Sequence, residues 1–363
     1  MNRLIAIDLP GGPDFVDALR SVWDAGDAAL VLDGRLRIAD RHEIMRRFGA
    51  AAVVDGSGTT ANPSGGQPVE AGDALVVPTS GSTGEPKGVV LTHDAIAASA
   101  HAVATRLAIT SNDHWLACLP LAHIGGLSVV TRALELGTGL TVLPGFDAER
   151  VASSDASLTS LVGTALLRTD VTSFRAVLIG GGRPPAERPS NCVATYGMTE
   201  TGSGIVYDGL PLDGVDLRIV DGEVWVRGPM LMRAYRDGHN PFIDGWLPTG
   251  DAGSIDESGR LSVSGRRGDM IVTGGENVWP EPVEQVLREH PDVADAAVFG
   301  VDDAEWGAIV VARLVTERDD LSLEEIRDHV RATLPPWAAP RRIERVERVE
   351  RTAIGKVRRD LLR

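Results

Sequence analysis

The stretch that decides the fold is Thr79-Ser80-Gly81-Ser82-Thr83-Gly84-Glu85-Pro86-Lys87-Gly88. It follows the strand-like apolar segment Ala74–Val77 and precedes Val89-Val90-Leu91, where a flexible linker would be out of place. Glycines let backbone N–H groups turn toward an anion, hydroxyls add donors, and a lysine adds a mobile positive charge. The composition and position of the stretch therefore indicate a polyphosphate site.

The stretch differs from the Walker pattern of P-loop enzymes. Lys87 follows Pro86, and no Gly-Lys-Ser/Thr occurs in the chain. A P-loop kinase is therefore disfavoured.

The loop resembles the phosphate-binding signature of the adenylate-forming superfamily, which contains acyl- and aryl-CoA synthetases, luciferases and peptide-synthetase adenylation domains. The superfamily's other signatures follow along the chain in the same order: Tyr196-Gly197-Met198-Thr199-Glu200, Thr249-Gly250-Asp251, Gly265-Arg266, Gly274-Gly275-Glu276-Asn277-Val278-Trp279-Pro280 and Gly355-Lys356. The chain is identified as a member of this superfamily by that ordered set.

Length and charge exclude several classes of protein. The 363 residues suffice for two domains, and the formal net charge of −15 disfavours a nucleic-acid or anionic-membrane partner. Cys118 and Cys192 lie in apolar contexts without a Cys-x-x-Cys pattern, which predicts buried thiols in a reducing compartment such as the cytoplasm. The N-terminus has no basic region before an apolar core and no long apolar run occurs, so we expect neither a signal peptide nor a membrane span.

The first part of the chain alternates between short apolar strands and amphipathic helices, which is typical of an α/β fold. Strands are predicted at Leu4–Leu9, Ala28–Leu32, Trp115–Pro120, Gly139–Leu143 and Arg175–Ile179, and helices at Pro13–Trp23, Asp40–Phe48, Asp94–Arg106 and Ser128–Glu135. The segment Ser57–Gly66 is rich in turn residues and is expected to be a loop. Strands that end in glycine-rich turns, such as Gly180-Gly181-Gly182, place those turns at the ligand-binding edge of a parallel sheet.

From Val215 onward, short alternating strands predict a small antiparallel β module, and beyond Arg267 the pattern becomes a compact α+β unit. We therefore expect a large N-terminal AMP-binding domain of layered α/β subdomains, residues 1–267, and a small mobile C-terminal domain, residues 268–363. The alternating charges of Arg341–Arg351 are expected to form a solvated face.

The resemblance implies ATP, Mg²⁺ and CoA as ligands and assigns residues to each. Glu200 would coordinate Mg²⁺ and Thr199 would donate to the α-phosphate. Asp251 would bind the ribose, and Arg266 would add a second ribose or phosphate contact. The remaining nucleotide contacts are implied for Thr79, Ser80, Gly81, Ser82, Thr83, Gly84 and Lys87 at the phosphates, and for Gly180, Gly181, Gly182, Tyr196 and Gly197 around the adenine.

The C-terminal residues are implied to serve two half-reactions in turn. Lys356 would neutralise charge on the α-phosphate and carboxylate oxygens while the adenylate forms. After the small domain rotates, the loop at Gly274 and Gly275 would line the pantetheine tunnel for thioester formation. Relatives often carry Asp or Lys at the pivot, where this chain has Gly268.

Within the superfamily, the short chain and the segments Pro120–Ser128 and Val206–Val215 look most like short actinobacterial o-succinylbenzoate–CoA ligases of menaquinone synthesis. The acyl pocket would be walled by His123, Ile124, Gly125, Leu127, Ser128, Gly202 and Ser203. A dianionic acid needs a cationic or strongly donating group at its second carboxylate, and the motif places His123 and Ser128 best for it.

Other assignments stay open at this point. The chain could be another aryl- or fatty acyl-CoA ligase, a stand-alone adenylation enzyme that loads a carrier protein, or a nucleotide-binding regulator without catalysis. Intact Lys87, Glu200, Asp251 and Lys356 favour an enzyme over a regulator. The expected partners are a small carboxylic acid, ATP and CoA, and a homodimer is left open.

Overall fold

The computed structural model describes residues 1–62, 65–80, 86–185, 187–351 and 357–362, without the side chains of Ser80 and Asp360. It divides into two compact units. Unit 1 comprises Met1–Leu217 with Val226–Leu247, and unit 2 comprises Arg218–Trp225 with Pro248–Arg363. This division does not test the boundary expected at residue 267, which stays a prediction. Within the described ranges, no helix is long and apolar enough to cross a membrane.

The first elements of unit 1 build most of a mixed seven-stranded sheet. Its first six strands are β1 Leu4–Asp8, β2 Ala28–Val31, β3 Ala52–Asp55, β4 Gly58–Ala61, β5 Asp73–Ser80 and β6 Pro86–Thr92. The helices along this part of the chain are α1 Pro13–Asp24, α2 Ile38–Phe48 and α3 His93–Leu107. β1, β2, β3 and β5 run parallel, and β1 and β2 are almost wholly buried because both faces of a parallel sheet are covered.

The prediction that Ser57–Gly66 forms a loop is wrong for four of these residues. Gly58–Ala61 form β4, an antiparallel hairpin partner of β3. The Ser57 backbone N–H donates to Asp55 Oδ1 at 2.8 Å and closes the turn between the two strands. All four residues of β4 are exposed, so this edge strand carries the polar composition that indicated a loop.

The second half of unit 1 forms another seven-stranded sheet, in the order β13-β12-β11-β10-β9-β7-β8. Its strands are β7 His114–Ala117, β8 Gly139–Val142, β9 Leu158–Val162, β10 Ala176–Gly180, β11 Cys192–Met198, β12 Ser203–Tyr207 and β13 Leu210–Pro211, and its helices are α4 Ile124–Leu136, α5 Ala148–Ala152 and α6 Gly163–Leu166. β7 to β11 are parallel, whereas β12 and β13 are antiparallel additions. The carboxyl ends of β10 and β11 therefore share one edge.

Helix α4 begins at Ile124, four residues before the predicted start at Ser128. Gly125 and Gly126 have low helix propensity, so the sequence pattern did not predict that the first turn of α4 is helical. Packing overrides that propensity, because a Cβ on Gly126 would lie 2.5 Å from the Leu119 carbonyl oxygen. Only glycine allows the first turn of α4 to approach the preceding backbone so closely.

The next strands are β14 Asp216–Val220, β15 Glu223–Arg227, β16 Ala234–Tyr235, β17 Leu247–Ile255 and β18 Leu261–Arg266. β14, β15, β17 and β18 form a four-stranded sheet, which is the predicted small β module. β16 instead pairs with β6 and completes the first seven-stranded sheet.

The last part of unit 2 has the expected α+β composition. It contains β19 Ile271–Thr273, β20 Glu276–Val278, α7 Pro280–Arg288, β21 Asp295–Asp303, β22 Gly307–Val315, α8 Leu323–Arg331 and β23 Arg342–Arg345. Its core combines residues of α7 and α8, such as Leu287 and Ile326, with Val298 and Val310 of the sheet. The predicted α/β fold class, with a large first part and a smaller C-terminal part, is confirmed.

The charged segment Arg341–Arg351 was expected to form a solvated face, but part of it is a β-strand. β23 pairs in parallel with β22, and Glu344 accepts from Arg313 Nε at 2.9 Å. Arg342 and Arg345 at its ends are exposed, whereas Ile343 and Glu344 between them are half-buried.

Candidate active site

The predicted phosphate loop joins β5 and β6, which form an antiparallel hairpin. Thr79 pairs with Lys87, and the Thr79 hydroxyl donates to the Lys87 carbonyl oxygen at 3.4 Å. A Walker loop leads from a strand into a helix, whereas this one returns into a strand, so the hairpin argues against a P-loop. Outside the described residues lie Gly81, Ser82, Thr83 and Gly84, together with the side chain of Ser80.

The parallel pair β10 and β11 brings two predicted nucleotide-binding segments to one edge of the second sheet. β10 ends at Gly180, and β11 carries Tyr196 near its own end. The Thr195 hydroxyl donates to the Ile179 carbonyl oxygen at 3.1 Å and ties the two strand ends together. The turn at Gly180–Gly182 therefore begins beside the segment of Tyr196, where open α/β sheets bind ligands.

The end of β11 is shaped by a glycine that no other residue can replace. A Cβ on Gly197 would lie 2.1 Å from the Ser203 carbonyl oxygen. The chain then enters a 3₁₀ turn, Thr199–Thr201, whose buried Thr201 hydroxyl donates to the same carbonyl oxygen at 2.7 Å. This turn holds the half-buried Glu200 at the strand end.

The Glu200 carboxylate lies beside the phosphate hairpin. Tyr235 donates its phenolic hydroxyl to Glu200 Oε1 at 2.9 Å, and Lys87 Nζ lies 4.9 Å from the centroid of the Tyr235 ring. These contacts follow from the pairing of β16 with β6. One tyrosine thereby connects the predicted metal ligand with the predicted phosphate-binding lysine.

Glu200 fits a magnesium ion that is held mainly by a nucleotide. None of the described residues donates to its second oxygen, Oε2. The described ranges contain no cluster of three or more His, Cys, Asp or Glu side chains suited to a metal. Mg²⁺ is commonly bound by one or two carboxylates plus substrate phosphates, so a single carboxylate beside a phosphate loop suits it.

A small cavity of about 10 Å³, room for about one water molecule, is lined by residues of the first sheet and of helices α3 and α4. Three of the seven residues predicted to wall the acyl pocket line it, namely Ile124, Ser128 and Gly202. The other four do not line it: Leu127 and Ser203 are buried, His123 is half-buried and Gly125 is exposed. Ser203 is nonetheless close to the cavity, because its hydroxyl oxygen lies 3.0 Å from that of the lining residue Ser99.

Arg132, which is not among the residues predicted from the sequence, also lines this cavity. Its side chain is buried, with Nη2 3.4 Å from Ser203 Oγ and the guanidinium 4.9 Å from the Trp115 ring centroid. Nε and Nη1 have no hydrogen-bond partner among the described residues. Burial lowers the pKa of this guanidinium, yet an arginine stays protonated in proteins. The wall of the cavity therefore includes a buried cation, two of whose donor atoms have no partner in the described part of the chain.

His123 is the residue immediately before α4 and faces a loop after β2. Its Nε2 lies 3.6 Å from Asp33 Oδ2 and 3.3 Å from Arg35 Nη2. Burial lowers the pKa of His123, which keeps the imidazole neutral near pH 7. Neither Asp33 nor Arg35 belongs to a motif, so the sequence had no signal for this contact.

In unit 2, the predicted ribose pair lies on adjacent strands. Asp251 of β17 is the direct partner of Arg266 of β18, and Arg266 Nε lies 3.0 Å from Asp251 Oδ1. Arg266 Nη1 also donates to the Thr249 carbonyl oxygen at 2.6 Å. The two signatures therefore form one rigid pair, and their role in ribose binding is a proposal.

The predicted pantetheine loop is the turn between β19 and β20. Gly274 and Gly275 have φ values of 58° and 85°, a conformation that favours glycine. A Cβ on Gly274 would also lie 2.8 Å from Trp306 Cε3. The predicted catalytic Lys356 lies outside the described residues.

Comparisons with known proteins show the family of this chain. Residues 56–236 match the model of the AMP-binding enzyme family, and residues 282–356 match that of the AMP-binding enzyme C-terminal domain. A probable 2-succinylbenzoate–CoA ligase of Mycobacterium tuberculosis is 38% identical over 394 residues, covering 98% of this chain and 97% of the relative. The chain belongs to the AMP-binding enzyme family. A 2-succinylbenzoate–CoA ligase of Bacillus cereus is 35% identical over 79% of this chain and 69% of its own length.

Solved structures of o-succinylbenzoate CoA synthetase are also similar to this chain in fold and sequence. The o-succinylbenzoate CoA synthetase of Bacillus subtilis in complex with its acyl-adenylate intermediate is 30% identical, with a TM-score of 0.89, covering 99% of this chain and 88% of that one. The same enzyme with ATP and a magnesium ion is also 30% identical, with a TM-score of 0.86, covering 99% and 89%. The predictions of an adenylate-forming fold and of an AMP-forming acid–thiol ligase are confirmed.

Proposed function

We propose that this protein is an ATP-dependent 2-succinylbenzoate–CoA ligase that acts through an acyl-adenylate. The family membership and the names of the similar proteins support the reaction class. The observation that carries the choice of acid is the buried guanidinium of Arg132, with Nε and Nη1 unpaired among the described residues, in the cavity beside α4.

The cost of burying charge favours a dianionic acid. Only one carboxylate of 2-succinylbenzoate becomes activated, so the other must leave water while still ionised. A buried anion requires a partner cation with good hydrogen-bond geometry. Arg132 would supply that cation, with two donor atoms that have no partner among the described residues, and Ser128 lines the same cavity. A simple fatty or aryl acid would leave the guanidinium uncompensated.

In the first half-reaction, the activated carboxylate oxygen would attack the α-phosphorus of ATP, and the bond to pyrophosphate would break. Lys87 and the hydroxyls of the phosphate loop would hold the β- and γ-phosphates, and Thr199 would donate to the α-phosphate. Glu200 would hold Mg²⁺, which when bound neutralises charge on the phosphate oxygens. Lys356 would stabilise the charge that develops at the α-phosphate.

In the second half-reaction, the CoA thiolate would attack the acyl carbon and AMP would leave. The loop at Gly274 and Gly275 would line the path of the thiol. Asp251 would accept hydrogen bonds from the ribose hydroxyls, with Arg266 beside it. Mobility of residues 268–363 would give the two half-reactions different side chains around the same adenylate.

Two further assignments are proposals of the same kind. A cytoplasmic location is supported by the free, buried thiols of Cys118 and Cys192. A homodimer stays a prediction, which the mass of the protein in solution would test.

Exchange of labelled pyrophosphate into ATP tests the proposed first half-reaction. We expect exchange that requires 2-succinylbenzoate, needs no CoA and stops when EDTA removes Mg²⁺. Exchange supported equally by benzoate or a medium-chain fatty acid would contradict the proposed substrate, and the absence of exchange with any acid would contradict adenylation.

A further inference from the structure

Tyr235 contacts both charged groups that the proposed function assigns to Mg²⁺ and phosphate. Its hydroxyl donates to Glu200 Oε1 at 2.9 Å, and the face of its ring lies 4.9 Å from Lys87 Nζ. Glu200 and Lys87 themselves form no ion pair in the described structure. The same tyrosine therefore contacts a carboxylate through its hydroxyl and an ammonium through its ring.

Backbone pairing and a stacked ring hold the tyrosine in place. β16 pairs Tyr235 with Val89 of the phosphate hairpin, and the Tyr235 backbone N–H donates to the His239 carbonyl oxygen at 3.0 Å. The His239 ring lies nearly parallel to the Tyr235 ring, with centroids 5.9 Å apart and an interplanar angle of 6°. The Met232 backbone N–H donates to the Glu200 carbonyl oxygen at 2.8 Å, which fixes the same segment to the 3₁₀ turn. The phenol is therefore a rigid donor.

We propose that Tyr235 is a positioning residue of the magnesium site, whose hydroxyl orients Glu200 for the metal and whose ring keeps the Lys87 ammonium available for phosphate. This role rests on the proposed function, because it takes Glu200 as the metal ligand. The phenol occupies Oε1 and leaves Oε2 for the ion. Partners that orient a metal ligand typically change metal affinity or activity by about 10- to 100-fold when they are removed.

Binding of α,β-methylene-ATP, which cannot be cleaved at the reacting bond, tests this role by calorimetry at stepped Mg²⁺ concentrations. Tyr235→Phe keeps the ring and removes the hydroxyl. We expect the Mg²⁺ concentration that gives half of the metal-dependent tightening to rise about 10-fold. Affinity in EDTA should match that of the unmodified protein, because the Lys87 contact with the ring remains.

Tyr235→Leu is the matched comparison, since it removes the ring as well. We expect it to weaken nucleotide binding in EDTA, which Tyr235→Phe does not. In turnover assays Tyr235→Phe should raise the KM for Mg²⁺ and regain the unmodified kcat at saturating Mg²⁺. A merely structural role would instead lower kcat at every Mg²⁺ concentration and would overturn the proposal.

A double-mutant comparison shows whether the hydroxyl acts through Glu200. In a Glu200→Gln background, Tyr235→Phe should move the Mg²⁺ midpoint no further, and a further tenfold shift would contradict the proposal. An unmoved midpoint in Tyr235→Phe, with normal binding by the unmodified protein, overturns the role of Tyr235 alone. Failure of the unmodified protein to bind the analogue overturns the proposed function itself.

Discussion

Replacing Arg132 with methionine should change stability and activity in opposite directions. Methionine keeps much of the apolar volume of the side chain and removes a buried charge whose Nε and Nη1 lack partners among the described residues. Each buried, unsatisfied donor costs about 1–3 kcal/mol. The substitution loses one hydrogen bond at 3.4 Å to Ser203 and the contact with the Trp115 ring, worth about 1–2 kcal/mol together. We therefore expect the free protein to gain about 1–4 kcal/mol of stability.

The same change should remove the partner of the second carboxylate. Loss of a buried, charge-assisted contact across a binding site costs about 2–4 kcal/mol, which corresponds to a roughly 30- to 700-fold fall in kcat/KM. The loss should apply to 2-succinylbenzoate and not to a monocarboxylic acid, because only the dianion uses the guanidinium. Acid selectivity, the ratio of the two kcat/KM values, should change by the same factor.

Thermal or denaturant unfolding gives the stability change, and a coupled assay of AMP release gives kcat/KM for each acid. Arg106→Met is the matched control, since Arg106 donates to the carbonyl oxygens of Tyr207, Leu210 and Pro211. We expect the control to lose stability and to keep the acid selectivity. A destabilised Arg132→Met variant with unchanged selectivity would refute the reasoning, because Arg132 would then be a structural residue.

The remaining predictions concern three other positions. Lys356→Ala should abolish adenylate formation but spare thioester formation from supplied acyl-adenylate, and equal loss of both half-reactions would refute this division. Ser128→Ala should lower kcat/KM for 2-succinylbenzoate by about 1–3 kcal/mol while sparing benzoate, if its hydroxyl contacts the second carboxylate; an equal loss for both acids would show that it does not. Burial lowers the pKa of His123, so the unfolded chain takes up its proton first and stability should fall as pH drops below about 6.5. Unfolding midpoints from pH 7.5 to 5 should fall less steeply for His123→Gln, and identical slopes would contradict this.

Sequence patterns predicted those parts of the fold and site that depend on local chemistry. The strand-flanked loop after Thr79, the glycine turn after β10 and the pairing of Asp251 with Arg266 all follow from contiguous motifs or short spacings. Buried strands such as β1 and β2 carry a continuous apolar signal. β4 does not, because an exposed edge strand buries nothing and has the composition of a loop.

The missed site residues depend on long-range contacts. Tyr235 reaches Glu200 only because β16 returns to the edge of β6, and no local pattern encodes that pairing. His123 meets Asp33 and Arg35 through a loop 88 residues away from it along the chain. Arg132 could have been predicted from the local sequence. It is the one charged residue among the buried residues of α4, which are otherwise small or apolar.

The most direct test of the proposed activity is a competition among acids. Equimolar 2-succinylbenzoate, benzoate and a medium-chain fatty acid would be incubated with the protein, ATP, Mg²⁺ and CoA, and the CoA thioesters identified by mass spectrometry. We predict that the 2-succinylbenzoate thioester dominates and that AMP and pyrophosphate form in equal amounts with it. A thioester of benzoate or of the fatty acid, with none from 2-succinylbenzoate, would contradict the proposed substrate and leave a different acyl-CoA ligase.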